Sequence, residues 1–287
     1  YRRQRQMCIR DSAKIVQAGK MARRMDAAII VVGENSMREH WLDKTCGENM
    51  DRSDIDLPGL QQELVEEVYK AGIPVIVVLV NGRQLGVEWI ANHVSALVEA
   101  WEPGSMGGQA VAEVLYGEVN PSGKLPVTVP RHVGQLQCVY NHKSANTWFP
   151  YALGNSDPLF YFGYGLSYTH YRYDNLKLEK SVITPDGSTS VSVDVSNIGD
   201  RDGDEIVQLY IRDDYSSATR PVKELKGFRR VHLKKGETRT VTFEITPDLL
   251  AYDDAEMNYG VEKGTFTLML GSSSRDEDLR DIQLTVR

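Results

Sequence analysis

The sequence has no apolar run that approaches the ~18 residues a helix needs to cross a bilayer, which excludes a helical membrane-spanning protein. Cysteine is scarce: three residues in 287, none in a CxxC pair, so neither a disulfide scaffold nor a zinc ribbon has support. The six histidines are scattered and suggest no metal site. Positive charge is in deficit, with 33 Lys and Arg against 40 Asp and Glu, and the net charge of -7 argues against a nucleic-acid module, which needs a basic face. GxGxxG and Walker loops are both missing, so a dinucleotide- or nucleotide-binding domain also loses support. What is present is ordinary globular material, 41% hydrophobic and 25% charged, long enough for two domains with real cores.

Residues 1–12 (YRRQRQMCIRDS) are strongly basic, with neither an apolar period nor the apolar h-region of a signal peptide. They read as a foreign peptide or a disordered arm, outside the fold. From Ala13 to residue 119, helix and strand patterns alternate. Ala13 to Met25 predicts an amphipathic helix with Ile15, Val16, Ala22 and Met25 on its apolar face. AAIIVV (Ala27 to Val32) and PVIVVLV (Pro74 to Val80) predict strands buried on both faces. Leu60 to Ala71, Val87 to His93 and Gly107 to Tyr116 predict helices, and Ala96 to Ala100 a third strand. This rhythm implies an α/β domain with a mainly parallel sheet and helices on both faces. In such sheets ligands bind beyond the carboxyl ends of the strands. The loops at Gly33-Glu34-Asn35, Asn81-Gly82-Arg83 and Glu102-Pro103-Gly104-Ser105 therefore share one rim.

Residues 120–170 lose the helix rhythm and read as an irregular connecting segment. From 171 to 287 the pattern becomes all-β. Alternation in Ser188–Val195, Glu205–Arg212, Thr238–Ile245 and Gly264–Leu270, separated by Gly- and Asp-rich turns, predicts a sandwich of about seven strands.

The unusual feature is the long loop from Gly33 to Pro58, because loops of that length inside a compact α/β domain are usually functional or disordered. It carries Glu34, Glu39, Trp41, Asp43, Glu48, Asp51, Arg52, Asp54 and Asp56. A solvated acidic loop is the plain reading of that composition. Trp41, however, has no local reason to sit in a polar loop, and Gly47-Glu48 puts a carboxyl group beside a residue that permits close approach of a substrate. An aromatic platform next to polar groups suits a sugar.

Several ordered motifs carry a family resemblance: VVGEN (Val31 to Asn35), CGENMDRSDIDLPGLQQELV (Cys46 to Val65), PVIVVLVNGRQL (Pro74 to Leu85), the run from Glu99 to Gln135, FGYGLSYTHYRY (Phe162 to Tyr173) and RPVKELKGFRRVHLKKGET (Arg220 to Thr238). Together they resemble the C-terminal portion of glycoside hydrolase family 3, of the β-glucosidase and β-xylosidase type. The resemblance implies an α/β sandwich followed by a fibronectin type III-like domain, with the family's N-terminal barrel, which holds the nucleophilic Asp, absent from this chain. It implies a retaining exo-β-glycosidase that takes an oligosaccharide or aryl β-glycoside, with β-glucosides the leading substrate and β-xylosides next. It implies no metal or organic cofactor, no nucleic-acid or membrane partner, and a periplasmic or secreted location.

The family's general acid/base is a Glu on a loop of the sandwich, and Gly47-Glu48-Asn49-Met50-Asp51-Arg52-Ser53-Asp54 matches its pattern at Glu48. Glu34 and Glu39 are the rivals; the alternative for Glu34 is a structural carboxylate. A general acid must hold its proton near neutral pH, so Arg52 is expected to contact Asp51, Asp54 or the substrate rim and not Glu48. Trp41 is a candidate sugar platform, with packing of the loop as the alternative. Cys46 reads as a free thiol without a His partner. FGYGLSY reads as a joint between the domains, and Arg220-Pro221-Val222-Lys223 as a loop of the sandwich. Without the barrel the chain is expected to be inactive and to expose an apolar face; the competing reading is a non-catalytic carbohydrate- or protein-binding module.

Overall fold

The computed structural model of the chain describes residues 2–36, 44–135, 138–144 and 154–287. The chain divides into two compact units: residues 1–113 with 129–136, and residues 114–128 with 137–287.

The first unit contains α1 (Arg2–Ala22), β1 (Ala28–Gly33), α2 (Gln61–Tyr69), β2 (Val75–Val80), α3 (Glu88–His93), β3 (Ala96–Glu99) and the start of α4 (Gly107–Leu115). The strands pair in parallel in the order β1-β2-β3, with Ala28 opposite Val75 and Ile76 opposite Ala96. Helix α2 buries Val65 and Val68 and lies against β1 and β2; α3 buries Ile90 beside β3. Helix α1 packs on α2 through Ile15, Ala18, Gly19 and Ala22, a spacing of one helical face. Val16 and Met25, expected on that face, are instead exposed. The helix also runs back through the basic segment to Arg2, where Arg, Gln and Met are all good helix formers.

Strand β2 is central and buried as expected, with Val75, Val77 and Val78 at 1% exposure or less. Strand β1 is not buried on both faces. Ile30 and Val32 point into the core, while Ile29 is 51% and Val31 63% exposed. The cause is the lack of a second layer: α2 covers one face of the strand, and the other carries apolar side chains in contact with solvent. Residues 129–135 also belong to this unit, with Arg131 bonded to Glu88 at 2.6 Å.

The second unit is a β-sandwich. Its strands are β4 (Tyr171–Leu178), β5 (Val182–Ile183), β6 (Thr189–Asn197), β7 (Gly203–Asp213), β8 (Glu224–Leu233), β9 (Thr238–Ile245), a small hairpin of β10 (Tyr252–Asp253) and β11 (Tyr259–Gly260), then β12 (Gly264–Gly271) and β13 (Leu279–Val286). One sheet runs β5-β13-β12-β7-β8 and the other β4-β6-β9. All pairs are antiparallel except β13 with β5. Alternate residues face inward, so Val191, Val193 and Val195 of β6 meet Val207 and Leu209 of β7 at 0% exposure.

The connecting stretch holds no named helix or strand between Leu115 and Tyr171 among the described residues. The glycine-rich aromatic run is built into this second unit. Gly163 has φ +77, and a Cβ there would overlap the Gln208 side chain. Gln208 Nε2 donates to the carbonyls of Gly163 (3.0 Å) and Ser272 (2.7 Å), and its oxygen accepts from the Tyr210 hydroxyl at 2.5 Å. Phe162 stacks on Tyr140 with ring centroids 4.2 Å apart. Lys124 reaches the buried Glu205 at 3.2 Å. Burial pushes the Glu205 carboxyl up, and the Lys124 charge opposes that shift.

Candidate active site

The site is built at the carboxyl ends of the three parallel strands. β1 ends at Gly33, whose φ of +150 brings its backbone so close to β2 that a Cβ would overlap the Val80 carbonyl. Gln61, the first residue of α2, clasps this glycine from the other side. Gly33 N–H donates to Gln61 Oε1 at 2.6 Å, and Gln61 Nε2 donates to the Gly33 carbonyl at 2.8 Å. Glu34 N–H then donates to the Val80 carbonyl at 3.0 Å, so the sheet fixes the point where the long loop departs.

The loop returns beside its own start. The Asn35 carbonyl accepts from Thr45 N–H (2.8 Å) and Cys46 N–H (3.3 Å), and Asn35 N–H donates to Thr45 Oγ1 at 2.8 Å. Gly47 to Met50 form a turn closed by Met50 N–H on the Gly47 carbonyl, 3.1 Å. Its third residue, Asn49, has φ 58, a conformation that Asn tolerates better than most side chains. Glu48 occupies the second position and is exposed. Lys44 Nζ holds its carbonyl at 2.5 Å.

Beneath this turn lies a cluster of charge. The Glu34 side chain is fully buried; Oε1 accepts from Arg52 Nη1 at 2.9 Å, and Oε2 lies 3.4 Å from Arg83 Nε. Arg52 Nη2 also bonds Asp54 at 2.6 Å and the Asp56 carbonyl at 2.7 Å. Arg83 Nη2 donates to the Met50 carbonyl at 3.2 Å. Farther along the floor, Asn81 bonds the Arg83 carbonyl (2.6 Å) and Glu99 (3.4 Å). Glu99 accepts from Trp101 N–H at 3.0 Å. Burial raises the Glu99 carboxyl, against the hydrogen bonds from Trp101 and Asn81. Cys46 is a free, buried thiol; burial, then the negative charge of Glu34, pushes it up, which disfavours a thiolate nucleophile. Among the described residues no group of three or more His, Cys, Asp or Glu could hold a metal ion.

Of the carboxylates singled out in the loop, the two that are described, Glu48 and Glu34, have different surroundings. Glu48 faces solvent on a tethered turn. The Glu34 side chain is buried between Arg52 and Arg83. Glu39 and Trp41 lie outside the described residues. Arg52 contacts Asp54, one of its three expected partners, and adds the unexpected contact with Glu34. Arg83, Asn81 and Glu99 were not singled out from the sequence. The available signal was a short polar run, Asn81-Gly82-Arg83, directly after a buried strand on the binding rim.

Comparison with known proteins agrees with the fold of both units. Residues 5–168 match the model of the glycosyl hydrolase family 3 C-terminal domain, and residues 205–274 that of a fibronectin type III-like domain. A β-xylosidase of Formosa agariphila is 45% identical over 274 residues, 94% of this chain and 37% of that protein. A periplasmic β-glucosidase of Salmonella typhimurium is 37% identical over 275 residues, 91% of this chain and 35% of its own length. The solved structure of a β-glucosidase from Erythrobacter marinus superposes with a TM-score of 0.90 at 38% identity, over 97% of this chain and 37% of that one. A Listeria innocua β-glucosidase in complex with glucose gives 0.83 at 33% identity, over 91% and 36%. The chain therefore spans little more than a third of the length of these relatives, and it belongs to glycoside hydrolase family 3, of which it carries the C-terminal α/β and fibronectin type III-like domains.

Proposed function

We propose that this chain is the acid/base-bearing part of a retaining exo-β-glycosidase that removes terminal β-D-glucosyl or β-xylosyl residues from oligosaccharides or aryl glycosides. The observation that carries the reading is the exposed Glu48 on a turn anchored from both sides at the carboxyl edge of a parallel sheet. In the first step an Asp from a barrel outside this chain attacks the anomeric carbon, and Glu48 gives its proton to the departing glycosidic oxygen. In the second, Glu48 takes a proton from water as that water displaces the Asp. Each carboxyl group ends as it began, and the mechanism calls for no metal or organic cofactor. Arg52, only 13% exposed and engaged with Glu34, Asp54 and the Asp56 carbonyl, acts here on the loop and not on sugar. Trp41 remains the proposed sugar platform.

Alone, the chain is expected to show no turnover, because a retaining glycosidase needs two carboxyl groups about 5–5.5 Å apart and one of them is supplied elsewhere. The uncovered apolar residues Ile29 and Val31 favour an incomplete unit over a self-contained binding module. The periplasmic relative supports a periplasmic or secreted location.

The test is turnover of aryl β-glucoside and β-xyloside by this chain joined to a family barrel. Glu48→Ala should cost about 10²–10⁴-fold on a poor leaving group. On an activated leaving group, added azide should restore turnover by attacking the glycosyl-enzyme in place of activated water. An active Glu48→Ala enzyme would reject the assignment, and a barrel-joined chain inactive on every glycoside would favour the binding module.

A further inference from the structure

We infer that Glu34 is a positioning residue: its buried carboxylate, acting through Arg52 and Arg83, fixes the height and direction of the turn that presents Glu48. The inference rests on the acid/base reading of Glu48.

Its basis is a chain of contacts that starts in the sheet and ends at the turn. The Glu34 backbone is pinned by the Val80 carbonyl, so the carboxylate projects from a rigid point. Both oxygens face guanidinium groups, at 2.9 and 3.4 Å, in a place without solvent. Each guanidinium then passes to the loop backbone: Arg83 to the carbonyl of Met50, two residues after Glu48, and Arg52 to that of Asp56. Lys44 grips the Glu48 carbonyl itself. The planar fork of Arg suits such double duty, since one edge can meet a carboxylate while another reaches a carbonyl. Arg83 thus ends on the last residue of the turn itself, and Arg52 on the loop just beyond it, so the carboxylate is tied to the backbone that follows Glu48. Loss of the carboxylate leaves Arg52 with Asp54 and Arg83 with the Met50 carbonyl, so the tie between the strand end and the turn is lost and the turn loosens.

The test has two arms. In the chain as it stands, Glu34→Gln should speed amide exchange across 44–56 by about 10-fold or more, with the β2 amides at their parental rate. In the barrel-joined enzyme it should lower kcat on a poor leaving group by about 10²-fold, the cost of a small misplacement of a catalytic group, with KM little changed. The pH profile must keep its basic limb in Glu34→Gln, because the acid/base carboxyl is still present, and lose it in Glu48→Ala. Arg83→Lys retains the charge but not the fork; it should give a smaller loss, and the double variant should be no worse than Glu34→Gln. If Glu34→Gln does not fold, Arg83→Lys carries both arms. Parental exchange and parental kcat would overturn the inference while leaving Glu48 in place. A basic limb lost in Glu34→Gln and kept in Glu48→Ala would instead overturn the reading of Glu48, with the exchange arm still reporting on the clamp.

Discussion

The two units handle apolar surface in opposite ways. In the sandwich, the inward valines of β6 and their partners on β7 are sealed between two sheets at 0% exposure. In the α/β unit, β1, which is apolar throughout Ala28 to Val32 and so more apolar than β6, shows Ile29 and Val31 to solvent. They differ over buried acids as well. The sandwich buries Glu205 with one lysine; the α/β unit buries Glu34 with two arginines and half-buries Glu99, which accepts hydrogen bonds from Trp101 N–H and Asn81. The contrast teaches that strand composition does not decide burial. What decides it is whether the chain supplies a second layer, and the α/β unit devotes its charged interior to holding a loop.

The sharpest way to break this comparison is to truncate matched side chains. Phe266→Ala, in the sandwich core at 1% exposure, should cost about 3–5 kcal/mol, read as a fall in denaturation midpoint. Val31→Ala should move stability by no more than about 0.5 kcal/mol, and Val31→Lys should reduce self-association in sedimentation. A large loss at Val31 would mean that its side of β1 is covered after all.

A middle-sized effect tests the glycine-rich run. Gly163→Ala demands a left-handed φ from a residue with a Cβ and displaces Gln208, so it should cost about 1–3 kcal/mol. The loss should localise to the sandwich in amide exchange.

The smallest effect separates the buried acids. Glu99 has its carboxyl raised in the folded state, so the native chain holds that proton more tightly than the unfolded one. Stability from this group is present at low pH and declines as pH climbs through the range just above the ordinary Glu value. Glu99→Gln should remove that slope in pH-dependent denaturation; an unchanged slope would assign it to another group.

Much of this was legible in the sequence, for a physical reason in each case. β2 and α2 were plain because continuous apolar runs and capped helical periods are local signals. β6 and β9 were plain because buried and more exposed positions alternate along them, while β7 and β12 alternate in sequence although Val207–Ile211 and Phe266–Gly271 are buried on both faces. β8 escaped because Phe228, Arg229 and Arg230 are all exposed and break the alternation. β1 misled because an apolar run records that a strand is to be covered, not that it is. The Glu48 turn was found through an ordered family motif, whereas the clamp beneath it joins residues from two different strand ends and has no local signature.

The clasp of Gln61 on Gly33 has a consequence for the open edge of the sheet. Ala28 N–H and Glu34 N–H both point toward β2, so the peptide groups of Ile29, Val31 and Gly33 point the other way. At Gly33 the side-chain amide of Gln61 supplies the donor and the acceptor that a neighbouring peptide would bring. The template left on that edge is therefore no longer than the stretch around Ile29 and Val31, and any chain that pairs with it must stop short of the residue from which the long loop departs.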